Sequence, residues 1–425
     1  MFKKIKGHYA ERMANKERTV ISYEDVPLDD YEQEKTEMSV TAVKKILFGV
    51  AGVLLLTLIV FAFANREKLT WDNISMWWHY EVLGTAGQGY PVNIVGSEAE
   101  QGNFSVHQGR VAYASDTSFV TLNNTGREVC NLQLRYTKPV MKSKENRYFL
   151  FGLGEKDYQI ASFDSKLYSG TADGGILAAD IAANGKYCYV IEGNGYYSQL
   201  YAFDANNNRM FKYSFAEYYI NSVTINSSGT GCVACGISNS EGEIKTCVYV
   251  LDFARDEPLA KHEIEGDYII DSKYLSGARA ALVGGNASYV VLTDGDELRR
   301  IDYEGKPLAN YCFCPESGTF SLALSKSGDG RSCDLITYND GGDLIYSADT
   351  SFSSESLSSF RGVTATLDGN MVYVFNSDGS QRYSCYAGTG SERIILTSES
   401  EAYVLSVNQI RKLDLTHQSS PDSAY

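Results

Sequence analysis

Apolar and polar positions along the chain fall into three regimes. Residues 1–45 are polar without a sustained period, residues 46–64 (ILFGVAGVLLLTLIVFAFA) are nineteen consecutive uncharged residues, and beyond residue 100 short apolar runs alternate with clusters of Gly, Asn, Asp and Ser. Nineteen helical residues at about 1.5 Å each span roughly 28 Å, close to the hydrocarbon core of a bilayer at about 30 Å. A buried core helix of that length would carry a polar face. This run carries none, so it predicts a transmembrane helix. The third regime has no convincing segment of helical period, and short strands punctuated by turn residues read as an all-β domain.

A repeat runs through that domain. Apolar runs end in Asp, Asn or Ser, pass through a turn and resume: "SFVTLNNTGREVC", "QIASFDSKLYS", "LYAFDANNNRMFKYSF", "VYVLDFARDEPLAKHEI", "LRRIDYEGKPLANYCF", "LITYNDGGDLIYSAD", "VYVFNSDGSQRYSCY" and "AYVLSVNQIRKLDL". The turns open at Asn123, Asp164, Asp204, Asp252, Asp302, Asn339, Asn376 and Ser406, spaced by 41, 40, 48, 50, 37, 37 and 30 residues. Asp and Asn open tight turns because their side chains accept from their own downstream backbone. One or two further strands precede each hairpin, such as "KYCYVIEG" before Asp204. Each unit then reads as a four-stranded sheet of about forty residues, too small to bury both faces alone.

Setting such units around an axis buries those faces and predicts a β-propeller of four-stranded blades over residues 89–416. Eight hairpins give about eight blades; the weaker ones at Asp164 and Ser406 leave seven open. The last period is short, so its blade should borrow a strand from near the start of the domain, either "YPVNIVG" or "NFSVHQ". A solenoid or a β-sandwich is the competing architecture.

The polar tail, single span, "GYPVNI" at residues 89–94, "SFVTLNNTGREVCNLQLRYTKPVM" with Pro139, "YYSQLYAFDANN" and "VYVLDF" together resemble one known family. It is a family of bacterial single-span membrane-anchored β-propeller proteins, a domain of unknown function best known from Gram-positive anaerobes. The resemblance covers nearly the whole chain, rests on structural motifs and implies no catalytic residue. More distantly, the hairpins are similar to quinoprotein-type and outer-membrane-assembly scaffold propellers. Quinoprotein rings carry a tryptophan late in many repeats. The corresponding positions here hold Phe211, Leu259, Leu308 and Tyr383, which argues against a quinone cofactor.

Charge adds an address. The 425 residues carry a net charge of −15, yet residues 1–45 are neutral, so the excess acid lies entirely beyond them. That balance argues against nucleic acid and against broad attraction to anionic lipid. Ala62-Phe63-Ala64 would suit signal-peptide cleavage, but a signal core is usually about 7–15 residues close to the N-terminus. The longer run here follows a long polar stretch and reads as an uncleaved signal anchor contacting the bilayer through residues 46–64. The short tail holds nine Lys and Arg, and long domains translocate largely regardless of charge. Residues 1–45 therefore read as a cytoplasmic tail and the propeller as extracytoplasmic. Within the tail, residues 1–18 are basic and residues 22–37 acidic; that tail and residues 417–425 read as largely disordered. Residues 65–88 form a juxtamembrane stem with all three tryptophans, Trp71, Trp77 and Trp78. Their rings suit the membrane interface, or the stem packs on the following domain.

Chemistry is sparse. Cys232 and Cys235 form a CxxC within a strand, where residues i and i+3 point to opposite faces and cannot chelate one ion. Cys312 and Cys314 share a face but have no second ligand pair nearby, so the nine cysteines read as buried small apolar groups. The five histidines have no HxH or HExxH spacing, and GxSxG, GxGxxG and GxxxxGK[ST] are absent. Asp294, Asp296 and Glu297, and Asn339, Asp340 and Asp343, offer oxygens without the order of an EF-hand. No catalytic, cofactor or metal residue is assigned. The 31 tyrosines cluster at Tyr187, Tyr189, Tyr196, Tyr197 and Tyr201 and at Tyr213, Tyr218 and Tyr219. Strand cores use tyrosine readily, whereas exposed rings would suit glycan or protein contact. The expected role is a non-enzymatic interaction or sensing module for an envelope protein or cell-wall polymer. An envelope hydrolase or lyase at the channel mouth and a structural assembly factor are the alternatives.

Overall fold

The computed structural model describes residues 52, 54–57 and 89–416, apart from 97, 241, 294–296, 327 and 329. The chain separates into two compact units, Met1–Leu69 and Thr70–Tyr425. In the first, residues 52 and 54–57 are helical. Among the described residues no helix is long and apolar enough to cross a membrane, so the expected transmembrane helix draws no support from them. The rest of residues 46–64, the cytoplasmic tail, the stem with Trp71, Trp77 and Trp78, and residues 417–425 lie outside the described residues.

Among the described residues, the second unit is built of eight four-stranded antiparallel sheets. It is an all-β propeller with eight blades, not seven. Blades 1 to 7 follow in chain order over residues 104–133, 139–171, 176–215, 219–265, 269–302, 308–349 and 356–386. Within each blade the chain meanders from an inner strand to an outer one, and the inner strands of successive blades lie side by side around the axis. Blade 8 takes three strands from the end of the domain, Ser391–Leu396, Glu401–Ser406 and Gln409–Asp414, and its outer strand, Val92–Asn93, from the start. Val92 stands opposite Ile410 and Asn93 opposite Gln409. The "YPVNIVG" run is therefore the borrowed strand, while "NFSVHQ" supplies the inner strand of blade 1, Phe104–His107.

The middle strands are apolar on both sides because each blade packs against two neighbours. Eight buried clusters result, each built from two adjacent blades. In blade 4, Cys232 and Ala234 belong to the cluster shared with blade 3, whereas Val233 and Cys235 belong to the one shared with blade 5. The two CxxC thiols thus face opposite ways, and none of the nine cysteines forms a disulfide. Burial raises the Cys235 thiol strongly and pushes Cys247 up to about 12. Inner strands are more polar and are pinned to one another by side chains. Asn103 Nδ2 donates to Pro139 O at 2.8 Å, Asn221 Nδ2 to Ile269 O at 2.7 Å and Asn310 Nδ2 to Glu355 O at 2.7 Å.

Most predicted turns form by the expected mechanism. Asn123 Oδ1 accepts from the Thr125 and Arg127 amides at 3.0 and 2.9 Å. Asp204 Oδ1 does the same with Asn206 and Asn208 at 2.9 and 2.8 Å, and Asn339 Oδ1 with Gly341 and Asp343 at 2.9 and 2.8 Å. One predicted hairpin is corrected, and one forms at a different place in its blade. Asp302 does accept from the Glu304 amide at 2.7 Å, but the turn lies between the outer strand of blade 5, Glu297–Asp302, and the inner strand of blade 6, Leu308–Cys314. It is a crossing between blades. The same side-chain chemistry turns a chain whether the next strand pairs or moves on. The hairpin at Ser406 does form, but between the second and third strands of blade 8, because the outer strand comes from the other end of the domain.

Candidate interaction face

The ring has two distinct faces. Gly89 arrives on the face that holds the turns between third and outer strands, its amide donating to Thr125 O at 3.0 Å. The last strand, Gln409–Asp414, ends on the same face. The opposite face holds the turns between second and third strands and the crossings between blades, and no end of the described domain emerges there.

On that opposite face the middle hairpin of blade 4 projects. Its strands, Gly231–Ser240 and Glu243–Asp252, are ten residues each and pair as far as Ser240 with Glu243. The inner strand stops pairing at Ile237 and the outer strand starts at Lys245. Two residues per strand lie beyond the Lys245–Glu265 pair, and at about 3.3 Å each they give a projection of roughly 7 Å. Around it on blades 3 to 5 stand Tyr197, Tyr219, Tyr268 and Ile244, exposed by 43%, 51%, 47% and 49%. Tyr197 and Tyr219 meet edge to face with centroids 4.7 Å apart. Large exposed aromatic rings gathered on one face are characteristic of contact surfaces. Acidic groups flank the hairpin: Lys261 lies between Glu217 at 3.8 Å and Glu263 at 3.3 Å, and Lys245 lies 4.0 Å from Glu265.

The tyrosine clusters thus divide. Tyr187, Tyr189 and Tyr201 are buried between blades 2 and 3, with Tyr187 stacked 5.1 Å from Phe203. Tyr213 and Tyr218 pack between blades 3 and 4. Tyr196, Tyr197 and Tyr219 are the exposed members.

The central channel brings charged groups together that were far apart in sequence. Near the projecting face, Tyr311 of blade 6 donates to Asp271 Oδ2 of blade 5 at 3.3 Å, and Asp271 Oδ1 accepts from the Ser272 amide at 2.9 Å. Arg393 of blade 8 donates to Gln101 O and feels both Tyr311 and Asp271, although burial lowers its pKa. Toward the other mouth, Asp180 accepts from Thr224 Oγ1 at 3.1 Å and the Ile225 amide at 3.0 Å and pairs with Lys273 at 3.5 Å. Burial, with Lys273 nearby, lowers Lys144; burial also lowers His107 against the opposing pull of Glu145 and Glu316. Both channel aspartates accept on each oxygen and so tie neighbouring blades together.

Other candidates resolve into structural roles. Asp340 and Asp343 pair with Arg279 at 3.6 Å and Arg299 at 2.7 Å, and Asn339 shapes its turn. Glu297 opens the outer strand of blade 5, while Asp294 and Asp296 lie outside the described residues. Phe211 and Tyr383 lie on outer strands, Phe211 stacked 5.2 Å from Phe253, but Leu259 precedes an outer strand and Leu308 opens an inner one. Those four positions are therefore not equivalent sites of blade docking. The projecting hairpin and the channel cluster escaped the sequence reading. The one available signal was the 48-residue spacing up to Asp252, long enough for extended strands.

Solved structures share the fold at very low identity. Sqt1 of Chaetomium thermophilum matches with a TM-score of 0.50 and 9% identity, over 75% of this chain and 94% of its own. Apo AztD from Citrobacter koseri matches with a TM-score of 0.50 and 10% identity, over 69% and 88%. The β-propeller domain of Cps50 (Swd1) from Myceliophteria thermophila gives a TM-score of 0.47 and 10% identity over 77% and 100%. No curated protein matches the sequence. The description of one family matches residues 88–415, essentially the whole ring, and the chain belongs to it: the family of unknown function DUF5711.

Proposed function

We propose that this protein is a single-span, N-terminus-cytoplasmic membrane protein whose extracytoplasmic propeller is a non-enzymatic interaction or sensing module at the bacterial cell envelope. The observation that carries the reading is the exposed Tyr197, Tyr219 and Tyr268 set around the projecting hairpin of blade 4. That set lies on the face opposite the one where the chain enters at Gly89. A protein partner fits it: rings with hydroxyl tips give both apolar contact and hydrogen bonds, and the flanking glutamates favour a basic partner edge. The uncharged run 46–64 supports the anchor, and Trp71, Trp77 and Trp78 suit its outer interface. The test is photo-crosslinking from residue 197 or 268 of the full chain in intact cells. One reproducible envelope protein should be captured, and Tyr219→Ala should reduce its yield without loss of folding. Reproducible capture of nothing, or capture unaffected by Tyr219→Ala, overturns the assignment of this face.

A further inference from the structure

A second site lies on the rim, in a groove between blades 1 and 2 of about 550 Å³. Its origin is an anomaly in one strand. The outer strand of blade 2, Lys166–Thr171, buries none of its six side chains. The outer strands of blade 1 and of blades 3 to 7 each bury at least one. Leu167 and Tyr168 are left 50% and 38% exposed. Position 170 carries no side chain at all, and a Cβ there would sit 2.6 Å from the Tyr158 ring. Glycine inside a strand weakens it and often marks a close approach. Here it lets the Tyr158 and Tyr168 rings close on position 170, whose backbone lines the groove.

The lining has a definite chemistry. Leu132, Tyr136 and Tyr158 form an apolar floor, and Gln133, Gln159 and Ser169 offer amides and a hydroxyl. Arg135 and Lys166 both line it as well. Among the described residues neither cation has a hydrogen-bond or ion-pair partner. The groove's acid, Asp157, is already engaged by Thr171 Oγ1 at 2.7 Å. A protein of net charge −15 therefore presents two unpaired cations around one polar groove. The volume falls within the range of ligand sites, about 300–1,000 Å³.

We propose that this groove binds a saccharide bearing a carboxylate or phosphate group. Arg135 and Lys166 take the anionic group, the guanidinium matching two oxygens at once. Gln133, Gln159 and Ser169 pair with sugar hydroxyls, and the floor accepts the C–H face of the ring. The side-chain amides and hydroxyls favour a sugar over an extended peptide, which would bind chiefly through backbone groups. The site is separate from the tyrosine face and rests on the proposed envelope location only for the source of its ligand.

The experiment uses the purified full chain on an immobilised panel of uronate-bearing, phosphorylated and sulfated glycans with their neutral counterparts. A subset of the anionic glycans should bind and the matched neutral ones should not. The double variant R135Q/K166Q, whose changed side chains are exposed and unpaired, should bind those glycans about tenfold or more weakly with an unchanged circular dichroism spectrum. Y197A/Y219A should bind them as the parent does, which separates this site from the protein-docking face. The proposal is overturned if no glycan depends on Arg135 and Lys166, or if a short poly-aspartate peptide competes as well as the matched anionic glycan.

Discussion

Asp267 offers the sharpest test of how one blade is locked to the next. It lies in the crossing from blade 4 to blade 5 and is 2% exposed. Its Oδ1 accepts from the amides of Tyr268, Gly285 and Asn286 at 2.9, 3.0 and 3.0 Å. Oδ2 accepts from the Ala287 amide at 3.1 Å and the Tyr289 hydroxyl at 3.0 Å. Five donors thus converge on one carboxylate. Asp267→Ala removes every acceptor. The amides of Tyr268, Gly285 and Asn286 lie at exposed or half-buried residues and can turn to water, whereas Ala287 and Tyr289 are 0% and 2% exposed. Each buried donor left without a partner costs about 1–3 kcal/mol, so the loss should be about 4 kcal/mol. In Asp267→Asn the amide nitrogen replaces Oδ2. The Tyr289 hydroxyl can reverse and accept from it, leaving the Ala287 amide as the main casualty at about 2 kcal/mol.

Urea unfolding of the full chain, followed by circular dichroism and compared at constant slope, measures both losses. Amide exchange at Ala287 locates them. Tyr289→Phe should cost less in the Asp267→Ala background than in the parent, because its hydrogen bond is already gone. The reasoning fails if Asp267→Ala stays within about 0.5 kcal/mol of the parent. That result would mean that desolvation of the carboxylate cancels the hydrogen bonds it accepts.

Two further outcomes follow from the seam and the channel. Gly126 and Gly154 share the left-handed region, φ +74° and +77°, but a Cβ at 126 would lie 2.7 Å from Val92 Cγ2 and 2.9 Å from Gly89 O, whereas at 154 it meets open space. Gly154→Ala should cost about 1 kcal/mol from backbone strain alone, and Gly126→Ala about 3 kcal/mol, because the borrowed strand must also shift; equal losses by urea unfolding would show that the seam yields freely. His107 has its pKa lowered from 6.5 by burial, reinforced by Arg110 and Lys144 and opposed by Glu145 and Glu316. On acidification the unfolded chain takes up that proton first, so stability should fall as pH drops below about 6.5 toward the lower folded value. His107→Gln should flatten this part of the urea midpoint profile between about pH 5 and 8; an unchanged slope would refute the contribution.

The ring was legible because its determinants are local and repeated. Asn123, Asp204 and Asn339 bond their own downstream amides, so the residue type alone announces a reversal. The short last period announced a borrowed strand, and Val92–Asn93 supplies it. Local determinants also set the limit. Asp302 makes the same side-chain contact as a hairpin opener, with Glu304 at 2.7 Å, yet the chain crosses to blade 6. Whether a turn joins two strands of one blade or of two depends on which strand edge is still unpaired, and that is a property of the assembled sheet.

The same distinction explains why the two candidate surfaces were not read from the sequence. Strand parity separates Tyr187, Tyr189 and Tyr201, which lie within strands covered on both sides, from Tyr196 and Tyr197, which fall in the five-residue link between Glu192 and Ser198. The rim groove had no comparable signal. "KLYSGT" in blade 2 carries Leu and Tyr as other outer strands carry apolar residues, yet none of its six side chains is buried. A turn residue acts on its own backbone, whereas a binding surface is defined by what fails to pack against it. A single chain's pattern carries the first kind of information directly; the second appears only once blades 1 and 2 stand side by side.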